Sequence, residues 1–389
     1  MFLGISDERI AERGGKNTAR EISQQPETLR ELYAYMLERE DEINGFMTKL
    51  GGDCPVIFTG AGSSEFVGQA VCFAVRNSYP SAEAVSTTNI VASPETYLRR
   101  DKKILLVSFS RSGDSPESAA CIDLANQICE NIFHIIITCN KNGELYTRFN
   151  HAENVLALLM PEETNDIGFA MTSSVTSMIA AAYLALCKKN FSDFRDDIGS
   201  VCAAMESFLA GEHPFMHELA QSGPERIAFL GSNGLRATAT ESALKVMELT
   251  NGQTATLPDS AMAFRHGPKT FLNRAGAKTA VIILFTDDEH TCLYDMDMLK
   301  ELRGENRENI IAVSNKPGAG LTEYSSTHLL METKTPLSND IFLSILYLVF
   351  TQSLAFMLSY YQGYNTDSPV ESGTLTRVVS GVTIHPYSR

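Results

Sequence analysis

Two loops rich in serine and glycine follow apolar runs in the first half of the sequence. They are 59-TGAGSSEF-66 and 108-SFSRSGDSPES-118. In the second loop, Ser115 is a predicted helix N-cap and Pro116 takes the first helical position. Free backbone N–H groups and hydroxyls at a helix start bind an anion without needing Lys or Arg. One such loop is explained by helix capping alone, but two at successive strand ends indicate a phosphate site.

The second half carries side chains suited to moving protons. Glu241, Lys245 and Glu248 lie at i, i+4 and i+7 of the predicted helix 238–252, so they share one face. His266 follows in the loop 257-LPDSAMAFRHGPKTFL-272. A carboxylate, an ammonium and an imidazole are groups used in acid–base catalysis near neutral pH. Spacing alone also fits a solvated stripe with one Glu–Lys pair and a loop histidine without function.

Strand-like apolar runs followed by small-residue loops recur in the same order in both halves. The runs are 55–64, 103–113, 132–143 and 154–163, then 226–234, 279–288, 309–318 and 327–336. Their alternation with helical stretches predicts two tandem doubly wound parallel sheets of the α/β class. The predicted division is a helical segment over 1–50, a first domain over 51–210, a second over 211–365 and a C-terminal tail over 366–389.

The duplication provides an internal comparison for the serine loops. Where the first half has Ser110, Ser112 and Ser115, the second half has 286-TDDEHT-291. Closely spaced carboxylates would repel a phosphate in a poorly solvated site. We therefore expect only the first copy to bind phosphate, which leaves the second copy for chemistry.

The totals exclude several classes of protein. The chain has 389 residues and a net charge of -15, which argues against nucleic acid or an anionic membrane as partner. Its eight cysteines form no CxxC pair, so reduced core thiols in a cytoplasmic protein are expected. The apolar run 341–358 carries Ser, Thr and Gln, and we predict a helix buried in a domain or dimer rather than a membrane span.

A metal site is not expected. His213 and His217 have the i, i+4 spacing of a helical ligand pair, but no third ligand is evident. The predicted chemistry also needs no cofactor, because protons and an anion are handled by side chains and backbone groups alone.

The GxGSS loop followed about fifty residues later by SRSGDSPE resembles the sugar isomerase (SIS) family, over about residues 50–389. Members of this family bind phosphorylated sugars, and tandem copies form the isomerase half of glucosamine-6-phosphate synthase. The resemblance implies that Ser63, Ser64, Ser110, Ser112 and Ser115 line the phosphate site.

ALKVME at 243–248 and RHGP at 265–268 are similar to the isomerase segment of that synthase. The resemblance implies that Glu248 moves a proton between sugar carbons 1 and 2, with Lys245 beside it. It implies that His266 opens the ring, reaching in from a neighbouring subunit. Arg377 stands where the synthase has an active-site lysine, and an arginine does not simply replace a lysine. Glu241, Arg265 and Lys269 are left without assigned roles.

Residue 2 is Phe rather than a nucleophilic cysteine, so ammonia production from glutamine is not expected. The layout is most similar to the branch of the family that deaminates and isomerises amino-sugar phosphates. The implied reaction converts galactosamine 6-phosphate to tagatose 6-phosphate and ammonia, in a homodimer or higher oligomer. A deglycase acting on fructosamine 6-phosphates and a non-catalytic sugar-phosphate sensor are the alternatives.

Overall fold

The computed structural model describes residues 1–51, 54–370, 376–379 and 381–388. The chain divides into two units. The β1–β5 unit contains Thr28–Asp166, Ser173–Asp193 and Ser372–Arg389. The β6–β10 unit contains Met1–Glu27, Ile167–Thr172 and Phe194–Glu371. The helical segment predicted over residues 1–50 is therefore divided between the two units, at Glu27.

Each unit is built on one five-stranded parallel sheet. The strands of the first are β1 (Val56–Gly60), β2 (Glu83–Ser86), β3 (Lys103–Ser110), β4 (Asn131–Thr138) and β5 (Val155–Leu159), in the order β2-β1-β3-β4-β5. Those of the second are β6 (Arg226–Gly231), β7 (Ala255–Asp259), β8 (Thr279–Leu284), β9 (Ile310–Ser314) and β10 (Thr327–Leu330), in the order β10-β9-β8-β6-β7. The two orders are equivalent, so the predicted pair of doubly wound α/β sheets is confirmed.

Helices cover the sheets. In chain order they are α1 (Asp7–Glu12), α2 (Lys16–Ser23), α3 (Gln25–Glu38), α4 (Glu40–Leu50), α5 (Ser63–Ala74), α6 (Thr87–Ala92), α7 (Pro94–Tyr97), α8 (Pro116–Ile128), α9 (Glu144–Phe149), α10 (Ser173–Leu186), α11 (Arg195–Leu209), α12 (Pro214–Ser222), α13 (Leu235–Leu249), α14 (Ala261–Phe264), α15 (Glu289–Gly304), α16 (Leu321–Tyr324) and α17 (Ile341–Gln362). The apolar runs of the central strands β1, β6 and β9 are buried throughout or nearly so, as strands covered on both faces require.

The sequence runs predicted eight of the ten strands and missed β2 and β7. Both are short edge strands with exposed or half-buried positions, so neither has a continuous apolar run. Strand β7 also contains Pro258, which an edge strand accommodates because one side of its backbone is unpaired. The edge strand β5 was visible because all of its residues, VLALL, are apolar, whereas β2 reads EAVS and β7 reads ATLPD.

The long apolar helix α17 is the central helix of the β6–β10 unit. It is long and apolar enough to cross a membrane by length and composition, yet its apolar window is entirely buried within the protein. Tyr347 donates to the Phe285 carbonyl oxygen at 3.0 Å, and Thr351 contacts Ser242 of α13 at 2.9 Å between the two hydroxyl oxygens. The prediction of a buried core helix is confirmed, and α17 gives α13 a fixed surface to pack on.

Seven of the eight cysteines are buried and Cys292 is half-buried, and all are free thiols. Burial raises the pKa of Cys121 and of Cys139 to about 12. A thiol with so high a pKa is a poor nucleophile. The cysteines therefore behave as core residues, as the sequence predicted.

Candidate active site

The two serine loops lie at the same edge of the first sheet. Strands β1 and β3 are parallel neighbours in which Thr59 pairs with Ser108, so both loops leave from their carboxyl ends. Ser63 and Ser64, both buried, begin α5 directly after β1. A Cβ on Gly60 would lie 2.4 Å from the Ser64 backbone, so the turn requires glycine there. The structure thus brings the first predicted serines to a helix N-terminus at the sheet edge.

The loop after β3 is held in shape by its own hydroxyls. Ser110 Oγ accepts from the Gly113 N–H at 3.0 Å, and Ser112 Oγ accepts from the Asp114 N–H at 3.2 Å. Ser115 is the N-cap of α8, and its Oγ lies 2.5 Å from Ser118 Oγ. Asn140 Nδ2 donates to the Ser112 carbonyl oxygen at 2.8 Å. All five predicted serines therefore lie in two preformed turns at adjacent strand ends.

Sequence reasoning missed the cation inside this loop. Arg111 is 5% exposed and lies between Ser110 and Ser112. Its Nη2 donates to the Arg377 carbonyl oxygen at 2.7 Å. The sequence interpretation relied on neutral groups alone, whereas the loop carries a buried guanidinium. A charged residue inside an otherwise polar loop was the signal available in SRSGDS.

Arg377 belongs to the β1–β5 unit. Its Nε donates to the Asp166 carbonyl oxygen at 2.6 Å, and its Nη2 donates to Asn165 Oδ1 at 2.6 Å and to the Asn165 carbonyl oxygen at 3.2 Å. The arginine is thus held by neutral oxygens in the unit that contains the serine loops. Residues 371–375, 380 and 389 of the predicted tail lie outside the described residues.

In the equivalent turn of the second sheet, after β8, hydrogen-bond donors are bound by a carboxylate of the protein itself. Thr286 Oγ1 donates to Asp340 Oδ2, and the Asp287 N–H donates to Asp340 Oδ1 at 3.3 Å. Asp295 is fully buried and accepts from Ser232 Oγ at 2.5 Å. Burial raises the pKa of Asp295 to about 6, and it also raises the pKa of Asp340. Carboxylates are therefore concentrated near this turn. Such a concentration is the reason given above for expecting no phosphate site in the second copy.

Helix α13 carries a buried ion-pair cluster. Lys245 is 0% exposed, and its Nζ lies 3.4 Å from Glu241 Oε1. Lys245 Nζ also donates to Glu248 Oε2. Glu241 is buried, whereas the Glu248 side chain is 25% exposed. The alternative of a solvated stripe is therefore wrong, because one ammonium is buried between two carboxylates and only Glu248 reaches solvent.

Burial of this cluster follows from the packing of α13 against α17. Helix α13 packs on α17, and Ser242 Oγ donates to the Thr238 carbonyl oxygen at 2.6 Å while also contacting α17. A charged side chain in such a position must be paired, since an unpaired buried charge is costly. The i, i+4 and i, i+3 spacings around Lys245 place one carboxylate on each side of it.

His266 lies on an exposed turn after α14. Gly267 has a φ of 124°, a conformation that favours glycine. Two cations flank the histidine: Arg265 Nε contacts Glu301 Oε2 at 2.6 Å, and Lys269 pairs with Glu301 of α15 and with Glu305, the C-cap of that helix. The hydrogen bonds from Lys269 and then Arg265 lower the pKa of Glu301. The turn is therefore clamped to α15 at both ends.

The structure does not join His266 to the α13 cluster. Within the described part of the chain, its side chain makes no hydrogen bond or ion pair. The His266 imidazole is therefore exposed and has no polar partner among the described residues. An exposed, unengaged side chain on a clamped turn is what a group that acts on an external molecule requires.

The two histidines with the spacing of a helical ligand pair have structural contacts. His217 Nδ1 lies 2.7 Å from Tyr361 Oη, and its Nε2 lies 2.8 Å from the Leu3 carbonyl oxygen. His213 Nε2 lies 2.6 Å from the Phe208 carbonyl oxygen. Among the described residues, no group of three or more His, Cys, Asp or Glu side chains has the geometry to hold a metal ion.

Two parallel five-stranded sheets of equivalent strand order, one with serine loops at its carboxyl edge, define a tandem sugar-isomerase-type protein. The SIS domain model matches residues 55–188. The D-galactosamine-6-phosphate deaminase AgaS of Escherichia coli is 36% identical over 380 residues, which cover 96% of this chain and 96% of that protein. A Streptomyces coelicolor relative, provisionally given the same name, is 40% identical over 376 residues, covering 95% of each chain.

A solved structure agrees with these relatives. The crystal structure of tagatose-6-phosphate ketose/aldose isomerase from Escherichia coli is 34% identical to this chain and superposes with a TM-score of 0.85. The match covers 96% of this chain and 98% of that one. The chain belongs to the SIS-domain family, in the group of sugar-phosphate deaminases and ketose/aldose isomerases that includes AgaS.

Proposed function

We propose that this protein is a deaminating aldose–ketose isomerase that converts galactosamine 6-phosphate and water to tagatose 6-phosphate and ammonia. The observation that carries the proposal is the buried Glu241–Lys245–Glu248 cluster, in which only Glu248 reaches solvent. The relatives named D-galactosamine-6-phosphate deaminase AgaS, which match nearly the whole chain, support the choice of substrate.

The serine loops are assigned to the 6-phosphate. Backbone N–H groups at the start of α5 and α8, with Ser63, Ser64, Ser110, Ser112 and Ser115, supply donors to its oxygens. Holding the phosphate fixes one end of the sugar and orients its other end for reaction. Of the equivalent loops after β3 and β8, the assignment uses the loop after β3, which does not carry three consecutive acidic residues as 287–289 do.

Glu248 is assigned to proton transfer. The open-chain 2-amino aldehyde loses its C2 proton to the Glu248 carboxylate, and the electron pair moves to give an enolamine with charge developing on O1. The Lys245 ammonium, which is buried beside Glu248, is assigned to stabilising that charge through its electrostatic field rather than by contact with the sugar. Protonation at C1 then gives a C2 imine. Water adds to the imine carbon, and the C–N bond breaks to release ammonia and the ketose.

His266 is assigned to ring opening, in which a proton is moved between the ring oxygen and the C1 hydroxyl. Imidazole suits this step because it exchanges protons near neutral pH. The exposed position of His266, without a partner among the described residues of its own chain, supports a role toward a second subunit. A homodimer and a cytoplasmic location are accordingly part of the proposal, and the free cysteines support the latter.

The test is an ammonia-release assay with the purified chain on galactosamine 6-phosphate, glucosamine 6-phosphate and their N-acetylated forms. We expect ammonia and tagatose 6-phosphate from the first substrate, with a lower kcat/KM on the gluco epimer. A deglycase would instead release sugar phosphate from fructosamine 6-phosphates. No ammonia from any hexosamine 6-phosphate would refute the proposal.

A further inference from the structure

The loop after β3 and the C-terminal segment 376–379 are joined by a buried guanidinium. Arg111 Nη2 donates to the main-chain oxygen of Arg377 at 2.7 Å, across 266 positions of sequence. The backbone of Arg111 is also fixed, since its carbonyl oxygen accepts from the Cys139 N–H at 3.3 Å at the end of β4. The donor that reaches the segment is therefore part of the serine loop itself.

The other side of Arg377 is held just as firmly. Its guanidinium donates to Asn165 and to the Asp166 carbonyl oxygen. The Asp166 carboxylate in turn caps α10: its Oδ1 accepts from Ser173 Oγ at 2.5 Å, and its Oδ2 accepts from the Ser174 N–H at 3.0 Å and Ser174 Oγ at 2.5 Å. The main chain of Arg377 is thus bound by the serine loop, through Arg111. Its side chain is bound by the turn at Asn165 and Asp166.

The charges around Arg377 indicate how a bound anion should affect the docking of the C-terminal segment. Among the described residues, Arg377 makes no ion pair, and its donors go to neutral oxygens. Both guanidinium groups lie near Cys139, since each acts against burial to lower the pKa of that thiol, and Arg111 belongs to a loop with N–H and hydroxyl donors. Like charges at close range in a poorly solvated place repel, and an anion bound there relieves that repulsion. Phosphate in the loop should hold the segment more tightly than an empty loop does.

We infer that Arg111 is a positioning residue that ties the C-terminal segment at Arg377 to the phosphate loop, so that docking of the segment and binding of phosphate promote each other. The inference rests on the proposed function for the identity of the anion. Such coupling is reciprocal: the factor by which phosphate tightens the segment equals the factor by which the docked segment tightens phosphate. The role of Arg111 is to connect the two events rather than to take part in proton transfer.

The bond between Arg377 and Val378 provides the readout. Trypsin must bind the Arg377 side chain to cleave there, so cleavage requires release of that side chain from Asn165 and Asp166. When opening is fast relative to cleavage, the cleavage rate follows the population of the released segment. The fragment that ends at Arg377 is identified by mass spectrometry, with inorganic phosphate as the probe anion.

We expect wild-type cleavage at Arg377 to slow at least about fivefold at saturating inorganic phosphate, the lower end of typical couplings between sites. In Arg111→Met, basal cleavage should rise about tenfold, since a hydrogen bond from a charged donor is lost. Protection by phosphate should disappear, and the Kd for phosphate should rise. Arg100→Met, which removes an exposed guanidinium paired with Glu130 in the same unit, is the matched control and should behave as wild type.

Asn165→Ala is a second variant for the case that Arg111→Met folds poorly. It removes the Oδ1 atom that accepts from the Arg377 guanidinium, and it leaves the serine loop unaltered. It should also raise basal cleavage. Equal cleavage rates in wild type and in a folded variant, or no protection of wild type by phosphate, would overturn the inference. The assay needs no substrate, so absence of ammonia release would refute the proposed reaction while leaving the coupling of Arg111 to the segment intact.

Discussion

Asp340 accepts hydrogen bonds from both Thr286 Oγ1 and the Asp287 N–H, in the loop that follows β8. The equivalent loop after β3 is the one assigned to phosphate. The second copy of the unit therefore carries its own carboxylate, on a side chain at the start of α17, in the loop equivalent to the one that we assign to phosphate. Under the proposal, the two equivalent loops have different roles, ligand binding in one copy and internal structure in the other.

Replacing Glu248 by Gln should lower kcat for ammonia release by about a thousandfold, within the range typical of general acid–base catalysis. Glutamine keeps an oxygen that can accept from Lys245 but cannot take a proton from carbon. Glu323→Gln, at an exposed carboxylate of α16, is the matched control and should retain full activity. Steady-state kinetics on galactosamine 6-phosphate check this, and an unchanged kcat would assign the proton transfer to another base.

Replacing Lys245 by Met should lower the free energy of unfolding by about 3 kcal/mol, because it leaves the buried Glu241 carboxylate without its cation. The double variant Glu241→Gln with Lys245→Met should recover part of the loss, since the unpaired charge is gone. Urea unfolding monitored by circular dichroism measures both. Equal stabilities of the single and double variants would show that the ion pair with Glu241 contributes nothing.

Asp295 should make the β6–β10 unit less stable as the pH rises. Burial raises the pKa of Asp295 from 3.8 to about 6, so the folded state binds the proton more tightly than the unfolded state does. The stabilising contribution is complete below pH 3.8 and is lost as the pH rises through 6. Asp295→Asn should therefore be about 2 kcal/mol more stable than wild type at pH 7.5.

That advantage of Asp295→Asn should shrink as the pH falls toward 4, where the wild-type carboxyl is protonated in the folded state. Thermal unfolding measured from pH 4 to pH 8 provides the comparison. Asp297→Asn serves as a control on the same helix, outside the buried set. A stability difference for Asp295→Asn that is constant across this range would contradict the assigned ionisation.

Replacing Ser112 by Ala should raise the Kd for inorganic phosphate about tenfold, the loss expected for one hydrogen bond to a charged group. Ser232→Ala, in the loop after β6 that is equivalent to the loop after β1, should leave phosphate affinity unchanged even if it alters stability through Asp295. Isothermal titration calorimetry on both variants tests the assignment. Phosphate binding weakened by Ser232→Ala but not by Ser112→Ala would place the anion in the other copy.

The fold could be predicted because its main signals are local. Runs such as 104-ILLV-107 are apolar without interruption, which marks a strand buried on both faces, and the same order of runs appears twice. Strands β2 and β7 gave no such signal because their short sequences, EAVS and ATLPD, contain polar residues or proline. The sequence also placed the five serines at strand ends and helix starts, because the residues that form these features are adjacent in the chain.

The site could be predicted only in part because its energetics depend on distant contacts. Spacing placed Glu241, Lys245 and Glu248 on one face of a helix, but only packing against α17 shows that Lys245 is fully buried. The link from Arg111 to Arg377 joins residues 266 positions apart, and no local pattern encodes it. The roles of Glu248, Lys245, His266, Arg377 and the serines stay predictions that the experiments above address.

The membership of the β6–β10 unit has a consequence for biosynthesis. Phe2 packs edge-on against Phe356 of α17, with ring centroids 5.0 Å apart, and the first 27 residues belong to the same unit as Phe194–Glu371. Residues near position 2 can therefore complete their packing only after residues near position 356 have been translated. Until then, the apolar surfaces that α17 covers stay open to chaperones and to aggregation, so this unit completes its folding only after α17 has been synthesised.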